Sequence, residues 1–247
     1  MVDPTMTTTT PVDDAPLPGL LSRAIGVITS PGETFKHVAR TPKVAGMLFL
    51  VGLVIALAQG LPQFTEKGRA MALDMQVQSM ERFGMTVTDE MYTAMVERSQ
   101  SNVNGYVTVV STMVVMPLAS VVITAILWAI FNAILGGTAT FKHVMAIVVH
   151  SQIISALSVA VASPIMYARG QMSQSGIANL GALVPMLDES NYIARVLGMV
   201  DLFVIWWLVV LAIGLAALYK RTTTGVATGL LIAYLGLVLI FASFFGG

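Results

Sequence analysis

The chain has no cysteine. That absence removes disulfides, thiolate metal sites, iron–sulfur clusters and cysteine nucleophiles together. Charge is also scarce. Only 11% of the 247 residues are Asp, Glu, Lys or Arg, 13 basic and 13 acidic, where a soluble domain carries about 25%. A net charge of zero argues against nucleic acid as a partner, since phosphate neutralisation needs a basic surface. Catalytic patterns are missing as well: there is no phosphate-cradling Gly-Lys-Ser/Thr loop, no His-Glu-x-x-His and no Gly-x-Ser-x-Gly elbow. No cofactor or enzymatic activity is expected.

What is present is apolar sequence. Hydrophobic residues make up 56% of the chain and mean hydropathy is +0.81. A membrane span needs about 20 predominantly apolar residues. Five stretches qualify: about 44–61, 106–135, 143–165, 198–219 and 225–245. Apolar runs of this length suit helices and not barrel strands, which are shorter and alternate in polarity. The fold class expected is therefore all-α, a polytopic helical bundle in the lipid bilayer. The second stretch, about 45 Å as a helix, is too long for the bilayer core and must tilt, protrude or kink near Pro117.

Lys and Arg beside the spans set the orientation. Lys36, Arg40 and Lys43 precede the first span, Lys142 lies between the second and third, and Lys220 and Arg221 lie between the fourth and fifth. The long segments 62–105 and 166–197 hold eight acids and six bases. The N-terminus is expected in the cytoplasm and the C-terminus outside. Residues 1–16 lack Lys, Arg and an apolar core, so they read as a disordered leader and not a secretory signal.

Leu17, Leu20, Leu21, Ala24 and Ile28 share one helical face, with Ser22 and Arg23 off it. This predicts a short amphipathic helix in the interface or packed under the bundle. Ser30-Pro31-Gly32-Glu33 predicts a capping box opening a second helix, and Thr41-Pro42 a start signal for the first span. Segment 62–105 predicts an outer helical hairpin, broken at Gly84 and capped by Thr86 or Thr88. It holds Met71, Met75, Met80, Met85, Met91 and Met95. Thioethers can bind copper(I), but these lie at helical spacing without His or Cys, so packing is the reading preferred. Residues 166–190 predict a loop, with Leu180 to Leu187 dipping into the interface and Ser190 capping the next helix.

Polar residues inside spans are functional candidates by default. His150, Gln152, Gln59 and Asp201 are the four, with Asn132 as another interhelical bonder. Arg169 and Arg195 are the expected partners of Asp201. A structural hydrogen bond and a proton or ion path are the competing roles for His150 and Asp201. Small residues every fourth position mark close helix contacts: Gly52, Ala56 and Gly60 in the first span, Ala129, Ala133 and Gly137 at the end of the second, and Gly225 and Gly229, continued by Ala233 and Gly236, in the fifth. They serve intramolecular packing, self-association or a membrane-protein partner. Trp206 and Trp207 fall at mid-span and should pack within the bundle or against a partner.

Three stretches resemble the Yip (Ypt/Rab-interacting protein) domain family, in its bacterial branch. Ser30-Pro31-Gly32-Glu33-Thr34-Phe35 with Thr41-Pro42 is similar to the segment before its first span. Gly136-Gly137-Thr138-Ala139-Thr140-Phe141-Lys142, running to His150-Ser151, is similar to its inner turn and third span. Asp201-Leu202-Phe203-Val204-Ile205-Trp206, then Leu211-Ala212-Ile213-Gly214-Leu215, is similar to its fourth span. The likeness covers about residues 20–245 and implies one five-span membrane domain over 17–247. It also implies an inner-membrane location and a cytoplasmic N-terminus. Eukaryotic members are non-enzymatic adaptors that associate with small GTPases and with one another. The aspartate-leucine-tyrosine-glycine-proline motif of those members is missing here, so GTPase binding is not implied. The expected function is a non-enzymatic adaptor or accessory subunit. The alternative is a solute or ion transport component using His150 and Asp201.

Overall fold

The structure is a computed structural model. It describes residues 19–170, 176–184, 186 and 191–244; the leader at 1–16, Leu17, Leu187 and Ser190 lie outside them. Among the described residues the architecture is helical, with one isolated bridge between Asn179 and Asp201. Five helices are long and apolar enough to cross a membrane: Ala45–Phe64, Val103–Ile134, Phe141–Arg169, Leu202–Tyr219 and Thr223–Ser243.

The N-terminal pair is α1 (Leu20–Thr29) and α2 (Pro31–Arg40). They meet so closely that a side chain on Gly26 would collide with Thr34 Oγ1. The apolar face of α1 is not the one its periodicity suggested. Arg23, Ala24 and Val27 turn inward, while Leu21, Ile25 and Ile28 stay exposed. The helix is apolar on nearly every side, so packing against α2 and the third span chooses its rotation. No capping box forms at Ser30. Its N–H already closes α1 on Gly26 O at 2.8 Å, and Glu33 instead accepts from Lys36 Nζ at 2.7 Å. That ammonium holds the Glu33 carboxyl below its ordinary pKa. Thr41 closes α2 on His37 O; the first span starts later, at Ala45.

The first span is α3 (Ala45–Gly60), finished by a 3-10 turn at Leu61–Phe64. Next come α4 (Glu66–Arg82) and α5 (Asp89–Ser99), joined through Gly84 at φ 76°. Thr65 caps α4 by accepting from Gly68 N, and Thr88 caps α5 by accepting from Met91 N. The six methionines do not share one environment: Met71 is buried, Met85 and Met91 are exposed.

The second span is α6 (Val103–Ala129), which runs through Pro117 and ends in a π-helical turn at Ile130–Ile134. Near its N-terminal end Gly105 abuts the Phe64 ring and Tyr106 packs edge-on to it. The third span is α7 (Phe141–Ser151) and α8 (Ile153–Arg169). It is the centre of the bundle: 67% of its most apolar stretch is buried, against 11% for the fifth span. Helix reaches Arg169, further than the expected loop start, and stops at Gly170 with φ 73°. Leu183 and Met186 in the following loop are exposed.

A separate helix, α9 (Tyr192–Met199), precedes the fourth span; Asn191 caps it by accepting from Ile193 N at 2.8 Å. The fourth span itself, α10 (Leu202–Tyr219), begins four residues later than its hydropathy suggests, because Val200 and Asp201 leave the helix to bridge the 178–180 strand-like segment. The fifth is α11 (Thr223–Phe244).

Candidate functional site

A cluster of polar side chains lies in the middle of the bundle, where water is scarce and each group needs a partner. His150 sits nine residues along the third span from Phe141, about 14 Å at 1.5 Å per residue. It is completely buried. Its Nδ1 lies 2.7 Å from Ala146 O. A carbonyl only accepts, so Nδ1 carries the proton and Nε2 is an acceptor. Arg23 Nη1 donates to that Nε2 at 3.3 Å.

Arg23 is the residue sequence reasoning missed. It comes from α1, is 8% exposed, and its Nε has no hydrogen-bond partner. Burial pulls its pKa below the ordinary arginine value, yet arginine stays protonated in proteins. A cation is therefore held against a neutral imidazole, with both helices of the N-terminal pair wedged beside the third span. Two oddities in the sequence could have found it: a His deep within an apolar span and one lone Arg in an otherwise uncharged helix.

The next turn continues the cluster. Gln152 Oε1 accepts from Ser120 Oγ at 3.0 Å, and Thr124 Oγ1 donates to Met145 Sδ at 3.1 Å. Each hydroxyl has a single proton, which it shares with a carbonyl of its own helix, Met116 O for Ser120 and Ser120 O for Thr124. Trp207 Nε1 donates to Ser151 Oγ at 3.0 Å, which places this mid-span tryptophan within the bundle.

The other two candidates lie apart. Gln59 reaches Thr112 at 3.5 Å, the limit of a hydrogen bond. Thr112 is eight residues from Ser120 on α6, about 12 Å. Asp201 is the N-cap of α10. Its Oδ1 accepts from Phe203 N at 2.7 Å and Val204 N at 3.3 Å. Tyr234 OH accepts from Asp201 N and donates to Met199 O. Gly176 lies so close to the carboxylate that a side chain there has no room. Among the described residues no ion pair joins Asp201 to Arg169 or Arg195; a helix N-terminus already neutralises a carboxylate well.

The small-residue stripes divide. Gly52 and Gly60 face α6: a Cβ on Gly52 would meet Met113 Sδ at 3.4 Å, and one on Gly60 would meet Val109 Cγ2 at 2.5 Å. Ala56 between them is fully buried. By contrast, a Cβ on Gly229 or Gly236 would meet nothing within 4 Å, and one on Gly225 only the neighbouring Thr222. Gly137 is needed for a third contact, since the Tyr219 ring lies 2.5 Å from its Cβ position. Tyr219 OH donates to Asn132 Oδ1 at 2.9 Å, and Asn132 Nδ2 donates to Ala139 O at 2.7 Å. These bonds tie the second, third and fourth spans together at their N-terminal-side ends.

Two cavities open at that end of the bundle, and neither is lined by Gln59, His150, Gln152 or Asp201. Among the described residues no group of three or more His, Asp or Glu is arranged to hold a metal ion. Searches of curated proteins and of solved structures returned no match. The family model of the Yip1 domain matches residues 25–245, all five spans included, and the chain is an integral membrane protein of the Yip1 domain family.

Proposed function

We propose that this protein is a non-enzymatic membrane adaptor or accessory subunit, with its N-terminus in the cytoplasm of a bacterial inner membrane. The observation that carries this reading is the use already made of its intramembrane polar groups. His150 is held by Arg23 and Ala146, Gln152 by Ser120, and Asp201 by the start of α10. Each stabilises a helix contact, and little is left over to coordinate a solute. Orientation rests on six bases flanking the spans, Lys36, Arg40, Lys43, Lys142, Lys220 and Arg221.

The contact surface for a partner is the outer hairpin. Met85, Met91 and Tyr92 are exposed there, in the segment between the first and second spans. Apolar side chains grouped outside the bilayer mark an interaction surface, and methionine adapts to varied partners. A photo-crosslinking amino acid at Met91 or Tyr92, in native membranes, should give one protein adduct of constant stoichiometry. A Met91→Asp substitution beside a Tyr92 probe should abolish it. Absence of any protein adduct, together with a solute flux lost in His150→Leu, would favour the transport reading instead.

A further inference from the structure

The bundle has a gap on its N-terminal side. α11 runs against α10 and α9 but stands off from the end of α6. The space between them is an open cavity of about 400 Å³, walled by Leu127, Ile130 and Phe131 on one side and Gly229, Leu230 and Ala233 on the other. A second cavity of about 410 Å³ adjoins it and shares Phe131, Leu135 and Arg221. Its remaining walls mix Ala39, Ala139 and Leu218 with the polar Thr138, Thr140, His143 and Lys220.

The lining thus changes along one line from apolar to basic. The apolar part lies within the spans. The basic part lies where α10 ends at Tyr219 and α11 starts at Thr223, the level of the lipid headgroups. Among the described residues no carboxylate lines either cavity. Arg221 is held at the junction by donating from Nη2 to Leu135 O at 2.8 Å, which leaves other guanidinium donors for an anion. Lys220 takes a left-handed conformation, φ 52°, which suits glycine far better than a residue with a side chain. A cation is kept at the rim where the backbone would prefer none.

We propose that the joined cavities bind one anionic phospholipid, with an acyl chain between α6 and α11 and its phosphate at Lys220 and Arg221. The small stripe of α11 then serves to make room for a chain and not to seat a helix. A helix from a second protein would meet the basic rim after about 12 Å, the rise from Ala233 to Gly225. One leaflet of hydrocarbon is about 15 Å deep, so a lipid changes from apolar to anionic over a comparable distance. This site is independent of the adaptor role, which rests on the outer hairpin.

The test uses the full chain in detergent with phosphatidylglycerol, phosphatidylcholine or inorganic phosphate added, read by native mass spectrometry and thermal unfolding. Wild type should retain phosphatidylglycerol over phosphatidylcholine by roughly tenfold to thirtyfold, the order expected for two basic side chains near an anionic surface. Lys220→Gln/Arg221→Gln should lose that preference. Gly229→Leu should lose retention of both lipids while folding normally, because nothing lies within 4 Å of its Cβ position. Equal retention of the two lipids by wild type would overturn the proposal. So would unchanged binding in Gly229→Leu, or an equal stabilisation by inorganic phosphate alone.

Discussion

The first and fifth spans carry the same sequence pattern, small residues every fourth position, and the fold uses them in opposite ways. Gly52, Ala56 and Gly60 are covered by α6, whose Met113 and Val109 fill the space that side chains would take. Gly225, Gly229 and Gly236 face a gap or nothing. Without a hydrophobic driving force between helices in lipid, small residues permit close contact but do not compel it. What decides is whether a neighbour is tied close by. α3 is held by the Ser163 Oγ bond to Ala58 O from α8 and by Thr112 from α6. α11 is tied through Tyr192 and Tyr234 to α9 and the start of α10, at its C-terminal half.

The comparison can be broken most strongly at the centre. His150→Leu should leave the Arg23 charge buried with no described side-chain partner. A cost of about 3 kcal/mol or more is expected, since losing one partner of a buried charged bond exceeds the neutral case. It would be read as a fall in unfolding temperature in detergent. Adding Arg23→Leu should restore part of that loss, and a double-mutant cycle would show coupling between the two. Additive effects would mean that α1 does not hold its place through this bond.

Gly60→Val comes next. Its new Cβ would sit 2.5 Å from Val109 Cγ2, and overpacking of this kind costs about 1–3 kcal/mol. The smaller Val109→Ala should rescue it. Asp201→Ala should cost about 1 kcal/mol through the lost cap, whereas Asp201→Asn should keep most of it. Gly229→Ala should show the smallest effect, near zero or up to about 1 kcal/mol stabilising, because alanine favours helix and meets no neighbour here. A destabilisation at Gly229 as large as that at Gly60 would erase the distinction between the two stripes.

Span number and helical class were legible in the sequence, because runs of apolar residues against a lipid solvent leave few choices. The positions of His150, Gln152 and Asp201 were legible too, as polar interruptions in those runs. Their partners were not. Arg23 looked like the polar edge of an amphipathic helix, and only the seating of α1 beside the third span puts it on His150. Asp201 looked intramembrane, and only the bend at Val200–Asp201 makes it a cap. Ser30 had the residues of a capping box, but α1 had already claimed its N–H. The two glycine stripes were indistinguishable in one dimension. Hydropathy follows from composition alone, so the sequence by itself determined which segments enter the membrane. Which helix faces meet depends on rotation and on neighbours far along the chain, and only the tertiary structure decided that.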